Sequence, residues 1–289
     1  RCANGFVHGA PLHFQSQSVL TPGEVQALNE AVDAHQDQYR EDSKMYGGGM
    51  LGTQDRHTIT GMLTWEQPHC QPFRDLIAHP KLIPYLNIVF GHGWRMDSEP
   101  LPIASAKGAG GHGLHGCTNR HFNPSYYYTC ANGEIRAGQT VFQLQLRDIE
   151  PGHGGLAAIP GSHKANFKCP EDIMLYEADQ QAVCQVASRA GDLVLFFEAT
   201  IHGSLPWTAD YDRRSLLYRY NPKCLQSGGS LGETRLPEWI DELTAAQRAA
   251  VEPPYMGNRP LIEDDGFSVV QPGQEPVPHI PRSVAERGY

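Results

Sequence analysis

The segment GGHGLHGCTNRHF, residues 110 to 122, sets three histidines, His112, His115 and His121, among four glycines. That is the make-up of a loop that holds a metal or a ligand: imidazole binds divalent transition metals, and glycine lets backbone and ligand approach closely. A second segment, GDLVLFFEATIHGSLPWTADYDRRSLLYRYNP at residues 191 to 222, carries His202 and, eleven positions later, Arg213 with Arg214 beside it. Gly191 and Asp192 read as a turn, LVLFF as a buried strand and His202 as the start of the next strand. In a jelly roll, a histidine there and an arginine on the following strand can face one cavity. The first would bind a metal and the second would grip a carboxylate through its bidentate fork. Arg213 and Arg214 compete for that role, because strand alternation sends neighbours to opposite faces.

Together with GGLAAIPGSHKANF at 154 to 167, the His202-Gly203-Ser204 triplet and Arg213 beyond it carry a family resemblance. Over roughly residues 20 to 225, the chain resembles the phytanoyl-CoA dioxygenase family of Fe(II)- and 2-oxoglutarate-dependent oxygenases. The resemblance implies a double-stranded β-helix with Fe(II) and 2-oxoglutarate as cofactors. It also implies that 2-oxoglutarate chelates the metal, that O2 takes the open position, and that succinate and CO2 are released as a small molecule is hydroxylated. Residue by residue, it makes His202 the distal metal histidine and assigns the remote carboxylate of 2-oxoglutarate to Arg213 and Ser204. His115 is the best match to the proximal metal histidine.

The family's proximal motif, H-x-D or H-x-E, is broken here. His115-Gly116-Cys117 ends in a thiol, and neither His112-Gly113-Leu114 nor His121-Phe122-Asn123 supplies an acid. A face of two histidines and one carboxylate then needs its acid from elsewhere. Glu198 stands four residues before His202, and positions i, i+2 and i+4 of an extended segment share a face. Three other readings stay open: a Cys117 thiolate, which O2 chemistry would expose to oxidation; a position left to halide or water, as in the family's halogenating relatives; and a site that has lost its iron. Glu198 could also be no ligand at all but the ion-pair partner of Arg213 or Arg214. Beside the oxygenase there stand, accordingly, a metal-binding jelly roll without turnover, a halogenase-like open-site enzyme and a zinc-dependent hydrolase. The hydrolase would use Glu198 as base and have no need of Arg213.

Elements that could position these residues follow from pattern. TPGEVQALNEAVDAH opens with a capping box, Thr21 and Glu24, with Pro22 at the first helical position, and Val25, Leu28 and Val32 recur at helical spacing. HPKLIPYLNIVFG reads as a second helix stopped by Gly91. From about residue 94, PIASAK, QTVFQLQLRDI, GGLAAIP, AVCQVAS, DLVLFF and RRSLLYRY are short strand candidates. Val141, Gln143 and Gln145 alternate with Phe142, Leu144 and Leu146, the mark of a half-buried strand with a polar inner face. The expectation is a mainly β jelly roll with flanking helices in a single domain: a helical part at 1–93, a double-stranded β-helix core at 94–225 and a C-terminal extension at 226–289. PEWIDELTAAQRAAV in that extension reads as a helix.

Most of the fourteen histidines need no chemistry. His163 in PGSHK reads as pinning a turn, and His153 as lying in the PGHGG turn. Of the tyrosines at 126 to 128, one hydroxyl could reach the cavity. A formal charge of -9 and the lack of any Lys or Arg run argue against nucleic acid and anionic membranes as partners. No apolar run approaches the roughly 20 residues that span a bilayer. Seven scattered cysteines without a C-x-x-C pair suit a reducing, cytoplasmic compartment. The chain starts RCANGF, with neither Met nor a signal-peptide pattern, so its natural start is expected to be trimmed or absent. Neither substrate identity nor oligomeric state is legible, since in such a fold variable loops choose the substrate.

Overall fold

The computed structural model of the chain describes residues 14–16, 18–42, 50–51, 56–116, 123–165, 167–178, 180–227, 238–255, 257 and 259–271. In chain order its strands are β1 (Phe14–Ser16), β2 (Arg40–Asp42), β3 (Met50–Leu51), β4 (Arg56–Thr58), β5 (Arg95–Met96), β6 (Leu101–Ser105), β7 (Gly111–His115), β8 (Tyr128–Ala131) and β9 (Glu134–Ala137). They continue as β10 (Thr140–Gln145), β11 (Gly155–Ala158), β12 (Cys184–Gln185), β13 (Leu193–Phe197), β14 (His202–Leu205), β15 (Arg213–Asn221), β16 (Leu261–Ile262) and β17 (Val269–Val270). The helices are α1 (Pro22–Asp33), α2 (Gln71–Asp75), α3 (Ile83–Phe90), α4 (Glu171–Met174) and α5 (Ala245–Val251).

Among the described residues, a large antiparallel sheet runs β1-β13-β10-β15-β6-β4-β2, with β5 also paired to β15, and a smaller one runs β12-β11-β14-β7-β3. Strand alternation in the large sheet sorts the side chains. Phe142, Leu144, Leu195, Phe197, Leu216, Tyr218 and Tyr220 join the main core with helix residues such as Leu28, Phe73 and Leu86. Their neighbours Val141, Val194, Phe196 and Leu217 meet Leu156 of the smaller sheet in a second apolar cluster. The fold is therefore the jelly roll, with helices over the outer face of the large sheet.

α1 begins where its sequence says it should: the Glu24 carboxylate accepts from the Thr21 N–H at 2.7 Å while the Glu24 N–H donates to Thr21 Oγ1. α3 ends at Gly91, in the left-handed region at φ 72°. Four expectations change. The N-terminal part is more than helical, since β1 pairs β13 and β4 pairs β6; strands of three residues are too short to show a period. β10 is buried on both faces rather than half-buried, because the inner one closes a cavity instead of meeting solvent. The expected loop at 110 to 122 is strand β7 over its first part, while Cys117 and His121 lie outside the described residues. The helix expected at PEWIDELTAAQRAAV is broken into a 3-10 turn at Glu238–Glu242 and α5, which Thr244 and Gln247 cap. No helix among the described residues is long and apolar enough to cross a membrane.

Candidate metal centre and cosubstrate cavity

His115 and His202 are brought together by the pairing of β7 with β14, where His115 lies opposite His202 and His112 opposite Ser204. Three steps along β7 thus match two along β14, a β-bulge. In an even strand, positions three apart would face opposite sides; the bulge lets both His112 and His115 line one cavity. The His115 and His202 rings stand 4.2 Å apart and those of His112 and His115 4.8 Å apart. The glycines of this segment serve strand contact. A Cβ at Gly111 would fall 2.1 Å from the Ser204 carbonyl oxygen, and one at Gly116 2.7 Å from that of Thr200.

Glu198 reaches the same point by a route that extended alternation does not describe. After β13 the chain turns, with the Thr200 N–H donating to the Phe197 carbonyl at 2.8 Å, and crosses from the large sheet to the small one. Glu198 continues the inward series of Val194 and Phe196, while His202 opens β14 on the facing sheet. Their side chains meet across the cavity, Glu198 Oε2 lying 3.7 Å from His202 Nε2. One ligand atom each from His115, Glu198 and His202 fall within 4.8 Å of one another.

The donor set suits a divalent metal. His115 Nδ1 lies 3.1 Å from the Gly113 carbonyl oxygen and His202 Nδ1 2.7 Å from that of Thr200. Each backbone contact fixes a ring as the tautomer whose Nε2 carries a lone pair for metal. Burial, reinforced by His202 beside it, drives His115 down to about 4, and burial also lowers His202. Burial alone would raise the Glu198 carboxyl, but His202 where it is protonated, and Arg219 with its permanent charge, carry it below its usual range. Two neutral imidazoles and a carboxylate are the protonation states that metal binding requires.

Arg213 and Arg214 part company as alternation demands. Arg213 is buried in the cavity wall and donates from Nη1 to Ser204 Oγ at 3.0 Å. Arg214 turns to the helices, donating to Asp33 Oδ1 and Asp212 Oδ2 at 2.6 Å each and to Asn29 Oδ1 at 3.1 Å. The cavity of about 570 Å³ is also lined by Gln143, which lies opposite Leu217 in the large sheet and whose buried Nε2 lacks a hydrogen-bond partner. A buried, unmatched donor in the same cavity as a buried arginine is what an acidic ligand would satisfy. At another side of the cavity stand Asp97, Glu99, Gln139, Tyr126 and Ser227. There Asp97 is held by Gln139 Nε2 at 2.7 Å and Asn221 Nδ2 at 2.6 Å. Burial raises the Tyr126 hydroxyl to about 12, with Glu198 adding to the effect.

Sequence reasoning missed Arg219. The cation beside Glu198 is neither Arg213 nor Arg214 but Arg219, whose Nε donates to Glu198 Oε1 at 3.4 Å. Both expected partners are engaged elsewhere, whereas Arg213 and Arg219, six positions apart on β15, share its inner face. That even spacing was the available signal. The PGSHK motif acts through Ser162, which accepts from the Ile201 N–H at 2.7 Å and donates to the Ile159 carbonyl at 2.7 Å. It thereby ties the 3-10 turn to the residue before His202. His163 packs between Tyr128 and Phe197 and does not join the three candidate ligands.

No curated protein matches the chain in sequence. Among solved structures, HygX from Streptomyces hygroscopicus with nickel, 2-oxoglutarate and hygromycin B bound is similar at 21% identity and a TM-score of 0.59, over 75% of this chain and 85% of that one. The non-heme alpha ketoglutarate dependent carbocyclase SnoK from nogalamycin biosynthesis is similar at 16% identity and a TM-score of 0.55, over 85% of this chain and 89% of that one. The epimerase SnoN from the same biosynthesis follows at 18% identity and a TM-score of 0.51, over 74% and 78%. At these identities the likeness is one of fold. The family is shown by sequence: residues 3–215, well over half of the chain, match the model for phytanoyl-CoA dioxygenase. The chain belongs to the phytanoyl-CoA dioxygenase family of Fe(II)- and 2-oxoglutarate-dependent enzymes.

Proposed function

We propose that the chain works as a single domain and hydroxylates a small molecule, with His115, Glu198 and His202 as the ligands of Fe(II). The observation that carries this reading is the convergence of those three side chains, their ligand atoms within 4.8 Å of one another. First-row metals bind such atoms at about 2.0–2.2 Å, so ligands on one face of the metal stand about 3 Å apart. Once bound, Fe(II) and 2-oxoglutarate supply the activation of O2, with release of succinate and CO2.

In this reading the chain's own residues bind and orient. Arg213 and Ser204 hold the remote carboxylate of 2-oxoglutarate, and Gln143 offers its unmatched N–H to the same ligand. Arg214, spent on Asp33 and Asp212, has no part in this. Glu198 occupies the side that a halogenase-like site would leave open. A zinc hydrolase would give no reason for a buried arginine at the cavity wall. Phe196 and Leu156 give the cavity an apolar wall. The polar groups of Glu99 and Tyr126 on the cavity wall suit a small molecule bearing hydroxyl or amino groups, and small molecules are also what HygX and SnoN hold in their crystals.

The test is turnover of 2-oxoglutarate under air with Fe(II). Succinate should form, and Arg213→Ala should sharply raise the 2-oxoglutarate needed. No succinate from metal-loaded protein in the presence of candidate polar substrates would contradict the proposal.

A further inference from the structure

We propose that Arg219 is the positioning residue that makes Glu198 usable as a metal ligand. This rests on the metal reading above. In a ligand motif of the H-x-D type, the acid sits next to its histidine on one strand and its reach is short. Here the carboxylate comes from the turn after β13, on a longer side chain and from the opposite sheet to both histidines. It needs something to fix its rotamer and to decide which oxygen faces the metal.

Arg219 meets that need. It projects from the inner face of β15, two strands from β13 across β10, and its Nε donates to Glu198 Oε1 at 3.4 Å. The other oxygen, Oε2, is the one that faces His202 Nε2 at 3.7 Å. One oxygen is thus engaged by the arginine and the other is left toward the histidines, the division of labour that orients a monodentate ligand. Arg219 is itself anchored through its strand: β15 pairs β10 at Val141, and the Arg219 carbonyl accepts from the Asp97 N–H at 2.8 Å. Asp97 is in turn fixed by Gln139 and Asn221, so the arginine starts from a rigid base. The groups facing Glu198 are His202, His115 and Arg219, with Tyr126 nearby on the cavity wall.

The sign of the effect separates positioning from simple charge. A guanidinium close to a cation site repels the metal, so on Coulomb grounds alone its removal should tighten metal binding. Positioning demands the reverse. The experiment is Ni(II) affinity, by competition with a chelator, on the full chain. Ni(II) binds nitrogen and oxygen sites more tightly than Fe(II), which keeps weakened variants measurable. Arg219→Gln is expected to weaken Ni(II) by roughly 10- to 100-fold, the range typical of lost outer-shell partners. In a Glu198→Ala background the same substitution should change nothing. Arg219→Lys retains the charge but lacks the planar fork, and should recover only part of the loss. If Arg219→Gln does not fold, judged by circular dichroism of the metal-free protein, Arg219→Lys decides alone, with a several-fold loss expected.

Ni(II) bound as tightly as by the parent, or more tightly, in the Arg219 variant overturns the inference. So does an equal loss with and without Glu198. If instead Glu198→Ala binds Ni(II) like the parent, the metal reading itself fails, and the failure is recognisable as a separate one.

Discussion

Arg213 and Arg214 are adjacent in β15 yet serve opposite sides of its sheet: Arg213 donates to Ser204 inside the cavity, and Arg214 clasps Asp33 of α1 outside it. The pair turns a one-residue difference in sequence into a difference between lining the cavity and holding helix α1.

Arg213→Ala should raise the 2-oxoglutarate requirement about 10- to 100-fold, as expected from a lost hydrogen bond to a charged group worth about 1.5–3 kcal/mol. Arg214→Ala should leave that requirement within about twofold and lower the unfolding free energy by about 2 kcal/mol. Steady-state kinetics in 2-oxoglutarate and urea unfolding check both, and an exchange of the two phenotypes would move the anchor to Arg214.

Ser162→Ala removes the acceptor of the buried Ile201 N–H. It should cost about 1–3 kcal/mol in urea unfolding and loosen metal retention, because the strand that presents His202 begins at the next residue. Parent-like stability would mean that the PGSHK turn does not hold β14.

His163 supplies a pH test away from the metal centre. Burial, with Lys164 adding to it, lowers His163 to about 4, below the roughly 6.5 of an unfolded histidine. Between those values the unfolded chain binds the extra proton, so stability rises with pH. The contribution is complete above about 6.5 and is lost as pH falls toward 4. His163→Phe should flatten that part of the stability profile. Since His163 Nδ1 is already without a hydrogen-bond partner, the loss of its polar atoms should cost little at pH 8. An unchanged slope between pH 4 and 6.5 would contradict the assignment.

Local signals in the sequence translated well. Thr21 with Glu24, and Gly91, are decided by neighbours within a few residues and are found where expected; along β10 the facing of alternate residues holds, though both faces are buried. That His202 and Arg213 line one cavity is legible too, because consecutive strands of a jelly roll constrain which side chains share a cavity. What depended on the third dimension was not. The bulge that turns His112 and His115 the same way follows from the register of β7 on β14 and leaves no mark of its own in the sequence. Extended alternation predicts one shared face for Glu198 and His202, yet Glu198 arrives by a turn between sheets. Arg219 was overlooked although it lies in register with Arg213. The strands β8 and β9 also escaped notice: Asn132 and Gly133 form their turn, but the exposed residues around it show no apolar period.

The most direct test of the central claim is the visible spectrum of the protein with Fe(II) and 2-oxoglutarate under anaerobic conditions. A weak metal-to-ligand charge-transfer band should appear in the parent, persist in Cys117→Ala and vanish in Glu198→Ala. A band that survives Glu198→Ala and disappears in Cys117→Ala would contradict the account and give the third ligand position to the thiol.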